Sequence, residues 1–245
     1  MLDSPTRLTA PFLSCVVPVR DEKHAATNLV SKLLELEPSR KLGIQVGEVI
    51  VVDDGSIEPF DGHDLSVHDD RVVIIRHPVA RGYGAAIKSG IQRSQYGFIA
   101  WIDGDNTYAP EDLRSLIDAL ETNDQVIGMR LTDFGSSPRL RKAVKRLINK
   151  GVGHLWRTLI PDVNSGLRVF RRESLMTYTD EFPDGFSCST TATLAALNRR
   201  HHIAFIPVHY RQRERNSGSK FRPVRDTWKL LGVIARQFSR AAHRS

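Results

Sequence analysis

The chain has 245 residues, 40% of them hydrophobic and 26% charged, which suits one sizeable globular domain or at most two small ones. No apolar run approaches the ~20 residues that cross a bilayer, and no basic head with an apolar core opens the sequence, so a cytoplasmic chain is expected. Cys15 and Cys188 are too few for a disulfide framework and read as small core or pocket residues. The net charge of +7 is unevenly spread: Arg199 to Ser245 holds 12 Lys/Arg against Glu214 and Asp226, and RLRKAVKRLINK (Arg139–Lys150) is a second basic run. Each run reads either as a solvated basic face or as attraction to a nucleotide, a nucleic acid or anionic lipid.

In chain order, SCVVPV (Ser14–Val19), EVIVVDD (Glu48–Asp54), RVVIIRH (Arg71–His77) and FIAWIDGD (Phe98–Asp105) are near-continuous apolar runs rich in Val and Ile. That composition predicts strands buried on both faces. Between them, NLVSKLLELE (Asn28–Glu37) and GAAIKSGIQRS (Gly84–Ser94) carry helical spacing, and APEDLRSLIDALE (Ala109–Glu121) opens with Pro and acids, as helices do. Alternation of this kind predicts an α/β domain with a parallel sheet. Beyond Glu121 the pattern loosens into shorter strands at QVIGMR (Gln125–Arg130), GLRVFRR (Gly166–Arg172) and HIAFIPVHYR (His202–Arg211), with helical stretches at Leu140–Leu159, Thr190–Asn198 and Thr227–Phe238.

Two of the strongest predicted strands end in acids: VVDDGS at Asp53 and Asp54, and WIDGD at Asp103 and Asp105. In a doubly wound sheet, ligands bind beyond the carboxyl ends of the strands. Such acids act as turn formers and helix caps, as an acid/base pair, or as ligands of a hard divalent cation that also takes water and substrate phosphate. HPVARGYGAAIKSG sets Gly82 and Gly84 in a turn into a helix beside Arg81, where backbone approaches a ligand and a helix N-terminus favours an anion. The chain has neither GxGxxG after its first strand nor GxxxxGK[ST], which disfavours dinucleotide oxidoreductases and excludes P-loop nucleotidases.

PVRDE (Pro18–Glu22), VVDDGS (Val51–Ser56), RGYGAA (Arg81–Ala86), DGD (Asp103–Asp105), GMR (Gly128–Arg130) and NSGLRVFRR (Asn164–Arg172) stand in the order seen in family 2 glycosyltransferases. Over about Ser14 to Lys220 the chain resembles the dolichol- or polyprenyl-phosphate branch of that family. The resemblance implies a GT-A (Rossmann-like) α/β fold, with a mostly parallel central sheet, helices on both faces and a mixed acceptor-side half. It implies one glycosyltransferase domain over residues 1–245. Residues 12–130 would bind nucleotide sugar, residues 131–222 would form the acceptor side, and residues 223–245 a basic C-terminal helix. The implied ligands are a UDP- or GDP-linked sugar donor and Mg²⁺ or Mn²⁺.

Carried over by position, Pro18, Val19 and Glu22 would line the nucleobase and ribose pocket, with Asp53 or Asp54 accepting a base N–H. Arg81, Gly82 and Gly104 would lie along the donor. Asp103 would sit near ribose and metal, and Asp105 would be the principal metal ligand. Arg130 and Arg168 would lie near the phosphates, joined by Arg215 and Lys220 of RNSGSK. Asp103, Asp105 and Arg130 are thus the candidate catalytic residues. Three departures stand out: Arg20 and Asp21 replace the Tyr and Asn of the family's PxYNE, Thr107, a weaker metal ligand, replaces a Gln common two residues after the second acid, and the glycine of RxGxSK is displaced by one.

A sugar hydroxyl acceptor needs a carboxylate base, whereas a phosphate monoester is already anionic at neutral pH and needs cationic groups to hold it. GFSCSTTATLAALNRR (Gly185–Arg200) has no carboxylate, while the tail carries Arg211, Arg213, Arg215, Lys220 and Arg222. Leu140–Leu159 and Thr227–Phe238 read either as core-facing helices or as basic amphipathic anchors lying in a membrane surface. The sequence therefore predicts metal-dependent inverting transfer of a sugar to a polyprenyl phosphate by a peripherally membrane-associated, cytoplasmic enzyme. The competing expectation is a soluble family 2 transferase acting on a hydroxyl with Asp184 as base. A basic nucleic-acid-binding module is disfavoured, because the strand-end acids would repel phosphate and no recognised motif is present.

Overall fold

The structure, a computed structural model, describes residues 12–62, 69–130, 156, 158–185, 187–211 and 232–240. Among the described residues, seven strands form one sheet in the order β3-β2-β1-β4-β6-β5-β7. They are β1 (Phe12–Val19), β2 (Gln45–Asp53), β3 (Val72–Arg76), β4 (Phe98–Ile102), β5 (Gln125–Arg130), β6 (Leu167–Arg171) and β7 (Ile203–Val208). Strands β3, β2, β1 and β4 run parallel, β6 is antiparallel to both β4 and β5, and β7 is parallel to β5. A mostly parallel first half and a mixed second half are what the change in sequence pattern predicts.

The period-2 alternation of the strands sends side chains to two cores. Cys15, Val17, Val49, Val51, Ala100 and Ile102 pack on one face beneath α1 (Lys23–Leu34) and α3 (Leu113–Asp118). Val16, Ile50, Val52, Ile99 and Trp101 pack on the other beneath α2 (Tyr83–Arg93) and α5 (Cys188–Asn198), with the short α4 (Arg172–Met176) beside them. In α1 the buried positions Ala26, Leu29, Val30 and Leu33 follow i, i+3, i+4, i+7 spacing. The helix begins five residues before the expected Asn28, because the small Ala26 supplies the first buried position where no large apolar residue marks it.

Other boundaries also shift. The helix expected over Ala109–Glu121 is α3 with single 3₁₀ turns at Pro110–Asp112 and Ala119–Glu121. The strand expected to reach Arg172 stops at Arg171, and the chain turns directly into α4. Of the two late helical stretches, Trp156 is helical and residues 232–240 form a helix; residues 139–155 and 227–231 lie outside the described residues. Among the described residues no helix is long and apolar enough to cross a membrane.

This topology fixes where chemistry can occur. The strand order reverses between β1 and β4, so the loops after these two neighbours diverge and leave a crevice at their carboxyl ends. Because β6 is antiparallel, with Ile102 opposite Leu167, the residues preceding β6 arrive at that same edge. The ends of β5 and β7 arrive there too, since Ile127 pairs with Arg168 and Arg130 with Val208.

Candidate active site

Asp103 and Asp105 follow β4 at this crevice. The Asp103 amide donates to the Gly166 carbonyl (3.2 Å), and the Tyr83 hydroxyl donates to Asp103 Oδ1 (2.9 Å). Burial and the neighbouring negative charge of Asp105 push the Asp103 carboxyl up to about 7, against the opposing pull of Tyr83, Arg130 and Arg168. Asn106 takes a left-handed conformation (φ 56°), and the turn it makes lets Thr107 donate to Asp105 Oδ1 twice, from its amide (3.1 Å) and its hydroxyl (2.6 Å). Gly104 packs the loop against β1: a Cβ there would stand 2.7 Å from the Pro18 carbonyl oxygen and 3.0 Å from Val19 Cγ2. Pro18, Val19 and the two acids thus meet across the reversal point.

A carboxylate pair in which one member resists ionisation because of burial and its like-charged neighbour is a place where a divalent cation is stabilised. The donor set is hard oxygen, as Mg²⁺ and Mn²⁺ require, and two carboxylates leave further coordination positions for water and substrate phosphate. The residues fit the cation expected from the sequence.

The acids after β2 do something else. Buried Asp53 accepts the Ser56 amide on Oδ1 (2.8 Å) and the Phe60 amide on Oδ2 (3.1 Å), closing the turn that follows the strand. Asp54 Oδ1 accepts the Arg81 amide (2.8 Å) and faces His77 Nδ1 (2.8 Å), while Oδ2 accepts the Gly82 amide (2.8 Å). Burial would raise the Asp54 carboxyl, but His77 and these two amides outweigh it and hold it below the usual carboxylate range. Both acids are therefore committed to their own backbone, and neither presents an open carboxylate to a nucleobase in this conformation.

The expected anion site at the start of α2 is also internally filled. The Gly84 and Ala85 amides donate to the Asp184 carbonyl (2.8 and 3.2 Å), and Gly82, at φ 115°, lies so close to that oxygen that a side chain would overlap it. The RGYG turn is thus a junction of β2, α2 and the 183–185 loop, and its tyrosine carries it to Asp103. The Arg81 side chain is exposed at its rim.

Both described arginines of the expected phosphate set are engaged within the fold. Arg168 is fully buried on β6; Nε donates to the Ser165 carbonyl (2.9 Å), Nη1 to Thr193 Oγ1 (2.7 Å) and Nη2 to the Val163 carbonyl (2.8 Å), with the guanidinium over the Trp101 ring. Its sequence neighbours alternate to opposite faces, and its own face is the one covered by α5. This position corrects the direct phosphate contact expected of it; its charge reaches the crevice only through space. Arg130 forms a fork with buried Asp162, Nε to Oδ2 (2.7 Å) and Nη2 to Oδ1 (2.9 Å), and stacks on Tyr210. Tyr210 in turn packs edge-on against Tyr108, whose hydroxyl meets Ser165 and accepts the Gly166 amide (2.8 Å). Arg130 therefore stands at the edge of the crevice as part of the frame holding the 162–166 loop.

Glu22 occupies the N-cap position of α1, half-buried beside the crevice. The Asp184 carboxylate, 61% exposed, pairs with Lys88 Nζ (2.6 Å). Arg215 and Lys220 lie outside the described residues. Tyr83, Tyr108 and Asp162 join the site without having been anticipated, and Thr107, expected as a weaker metal ligand, joins it as the hydrogen-bond partner of Asp105. Tyr83 sits inside the RGYG motif and Thr107 two residues after Asp105, so position marked both, whereas nothing local distinguishes Asp162.

Comparison with known proteins agrees with this architecture. The family model described as glycosyl transferase family 2 matches residues 14–179. Glycosyltransferase AglJ of Haloferax volcanii is 31% identical over 73% of this chain, which spans only 58% of that protein's length. Polyprenol monophosphomannose synthase of Mycolicibacterium smegmatis is 30% identical over 71% of this chain and 72% of its own. Among solved structures, glucosyl-3-phosphoglycerate synthase of Mycobacterium tuberculosis, in a complex with Mn²⁺, UDP and glucosyl-3-phosphoglycerate, superposes with a TM-score of 0.67. It is 19% identical and covers 94% of this chain and 80% of its own, a likeness of fold. The sheet with its reversal between β1 and β4 is the GT-A fold, and the chain belongs to glycosyl transferase family 2.

Proposed function

We propose that the protein transfers a sugar, with inversion, from a nucleotide diphosphate sugar to a polyprenyl phosphate. The observation that carries this reading is the pair of Asp103 and Asp105, brought to the reversal point of the sheet and each tied down by a hydroxyl. Mg²⁺ or Mn²⁺, when bound, would supply charge that relieves the repulsion between these acids and favours the departing nucleotide diphosphate. Pro18, Val19, Glu22 and Gly104 would flank the nucleoside, and Arg130 would add positive potential at the phosphates. Asp53, Asp54 and Gly82 would serve by holding the loops that shape the pocket.

For the acceptor, the support is chemical and comparative. Proteins named polyprenol monophosphomannose synthase and undecaprenyl-phosphate mannosyltransferase are 30% and 25% identical to this chain over 71% and 81% of it. A phosphate nucleophile is already ionised and requires no general base. Contact with a membrane surface would fall to segments such as the helix over residues 232–240, where Val233 and Gln237 face inward, Arg236 faces outward, and Phe238, edge-on to Trp156, stays 44% exposed. A saccharide hydroxyl acceptor is the second reading; the exposed Asp184 carboxylate, paired with Lys88, supports it as a candidate base.

Thermal-shift measurements with a panel of UDP- and GDP-sugars and Mn²⁺ test the donor, since a true donor stabilises the folded protein by mass action. The stabilising donor is then incubated with polyprenyl phosphate and, separately, with saccharides. Product on the lipid phosphate supports the reading; product on a saccharide alone replaces it with the second; and stabilisation by no nucleotide sugar sinks both.

A further inference from the structure

Two like-charged carboxylates serve one cation well only if both are held at the same point before it arrives. A free aspartate rotates about two bonds, and fixing it costs entropy that a preorganised partner has already met. Here each carboxylate has such a partner, and each partner is itself immobilised. Tyr83 is the first residue of α2, anchored through the Gly82 and Gly84 amides, and its hydroxyl lies between Asp103 Oδ1 and Ser189. Thr107 is buried, gives both of its donors to Asp105 Oδ1, and accepts the Arg211 amide on its carbonyl (2.7 Å).

A carboxylate has about four lone-pair sites, so donation into one oxygen orients the group without exhausting it. We propose that Tyr83 and Thr107 are positioning residues that set the orientation of Asp103 and Asp105 for the divalent cation, an inference that rests on the reading of these acids as metal ligands. Thr107 thereby acts through Asp105 rather than as a ligand in its own right. The two hydroxyls come from different elements, one from the start of α2 and one from the loop after β4. Each acts on a different acid, so their effects are separable.

The test measures Mn²⁺ binding to the full chain by electron paramagnetic resonance, with UDP and in parallel with GDP, for wild type, Tyr83→Phe, Thr107→Val and Thr107→Ser. Losing an outer partner of a metal ligand weakens metal binding roughly 10–100-fold. The expected result is a loss of that size in Tyr83→Phe and in Thr107→Val, near-wild-type binding in Thr107→Ser, and melting temperatures that do not follow the losses. Unchanged binding in both hydroxyl-deleted variants overturns the inference while leaving the metal reading intact. Equal weakening in Thr107→Ser overturns the role of its hydroxyl. A wild-type chain that binds no Mn²⁺ with either nucleotide overturns the metal reading itself.

Discussion

Gly166 lies directly against the carboxylate of Asp103: a Cβ at this position would stand 2.5 Å from Oδ1 and closer still to Oδ2. The same residue accepts the Asp103 amide on its carbonyl, so the NSG turn before β6 forms one wall of the site. Gly166→Ala must push the acid aside. Misplacement of a reacting group by about an ångström costs on the order of 100-fold in rate. Overpacking would cost roughly 1–3 kcal/mol of stability. Steady-state kinetics beside a denaturant melt would show the activity loss exceeding what unfolding explains; full activity would mean that Asp103 has no fixed position.

Asp105 is half-buried in a loop and held by Thr107 within its own turn. Asp105→Ala is therefore expected to keep a cooperative melt while turnover falls by at least about 100-fold, the scale of removing one electrostatic stabiliser from a site. Chelation of divalent ions should produce the same loss in wild type, and wild-type turnover in the variant would end the metal interpretation.

The Asp103 carboxyl, pushed up to about 7 by burial and by Asp105, gives a pH signature. Its folded value lies above its unfolded value, so the folded state binds more protons between about pH 4 and 7. Its contribution to stability is then present at low pH and lost as pH rises through about 7. A cation must displace that proton, so Mn²⁺ affinity should climb between pH 6 and 8 and flatten above. Asp103→Asn should abolish both trends, in chemical melts and in metal titrations; an unchanged pH profile in that variant would place the titration elsewhere.

Arg168 separates a structural from a ligand-binding arginine. Removing its three hydrogen bonds and its packing on Trp101 should cost roughly 2–4 kcal/mol in Arg168→Ala. Nucleotide affinity at a temperature where the variant is folded should change much less. The reverse, an unchanged melt with a large loss of affinity, would mean that the side chain swings out to meet phosphate.

The helix over residues 232–240 docks through polar groups. Asn198 Nδ2 donates to the Gln237 carbonyl and to Oε1 (both 2.9 Å), Gln237 Nε2 donates to Glu181 Oε2 (2.7 Å), and Arg199 and Arg240 also meet Glu181. Asn198→Ala should cost about 1–3 kcal/mol locally and open this helix to proteolysis before the sheet. Burial raises the Glu181 carboxyl, but Gln237 and Arg199 outweigh this and hold it below the usual glutamate range. Glu181's contribution to the docking is therefore full above that range and is lost as pH falls through the lowered folded value. Hydrogen exchange in the helix that does not respond to acid or to Asn198→Ala would show that other contacts hold it.

Much of this was legible in the residues. Runs of Val and Ile around Cys15, Ile50 and Trp101 announce strands buried on two faces, because only a sheet covered on both sides tolerates apolar residues at every position. The spacing of Leu29, Val30 and Leu33 announces α1 for an equally local reason. The order of motifs named the family and pointed to Asp103 and Asp105, since a short loop after a strand brings its own acids together.

What the tertiary structure alone decided is which of the other motif residues spend their polar groups on the protein itself. Asp54 finds its donors at Arg81 and Gly82, Arg130 finds Asp162, and Arg168 finds Thr193, partners 25 to 32 residues away. The amides at the start of α2 are taken by the carbonyl of Asp184, which stands 100 residues beyond Gly84. An acid or an arginine looks the same in sequence whether it faces a ligand or a buried amide. Only the pairing of the strands and the packing of helices and loops against them determine which partner is within hydrogen-bonding reach, and a buried polar group takes the partner that is there.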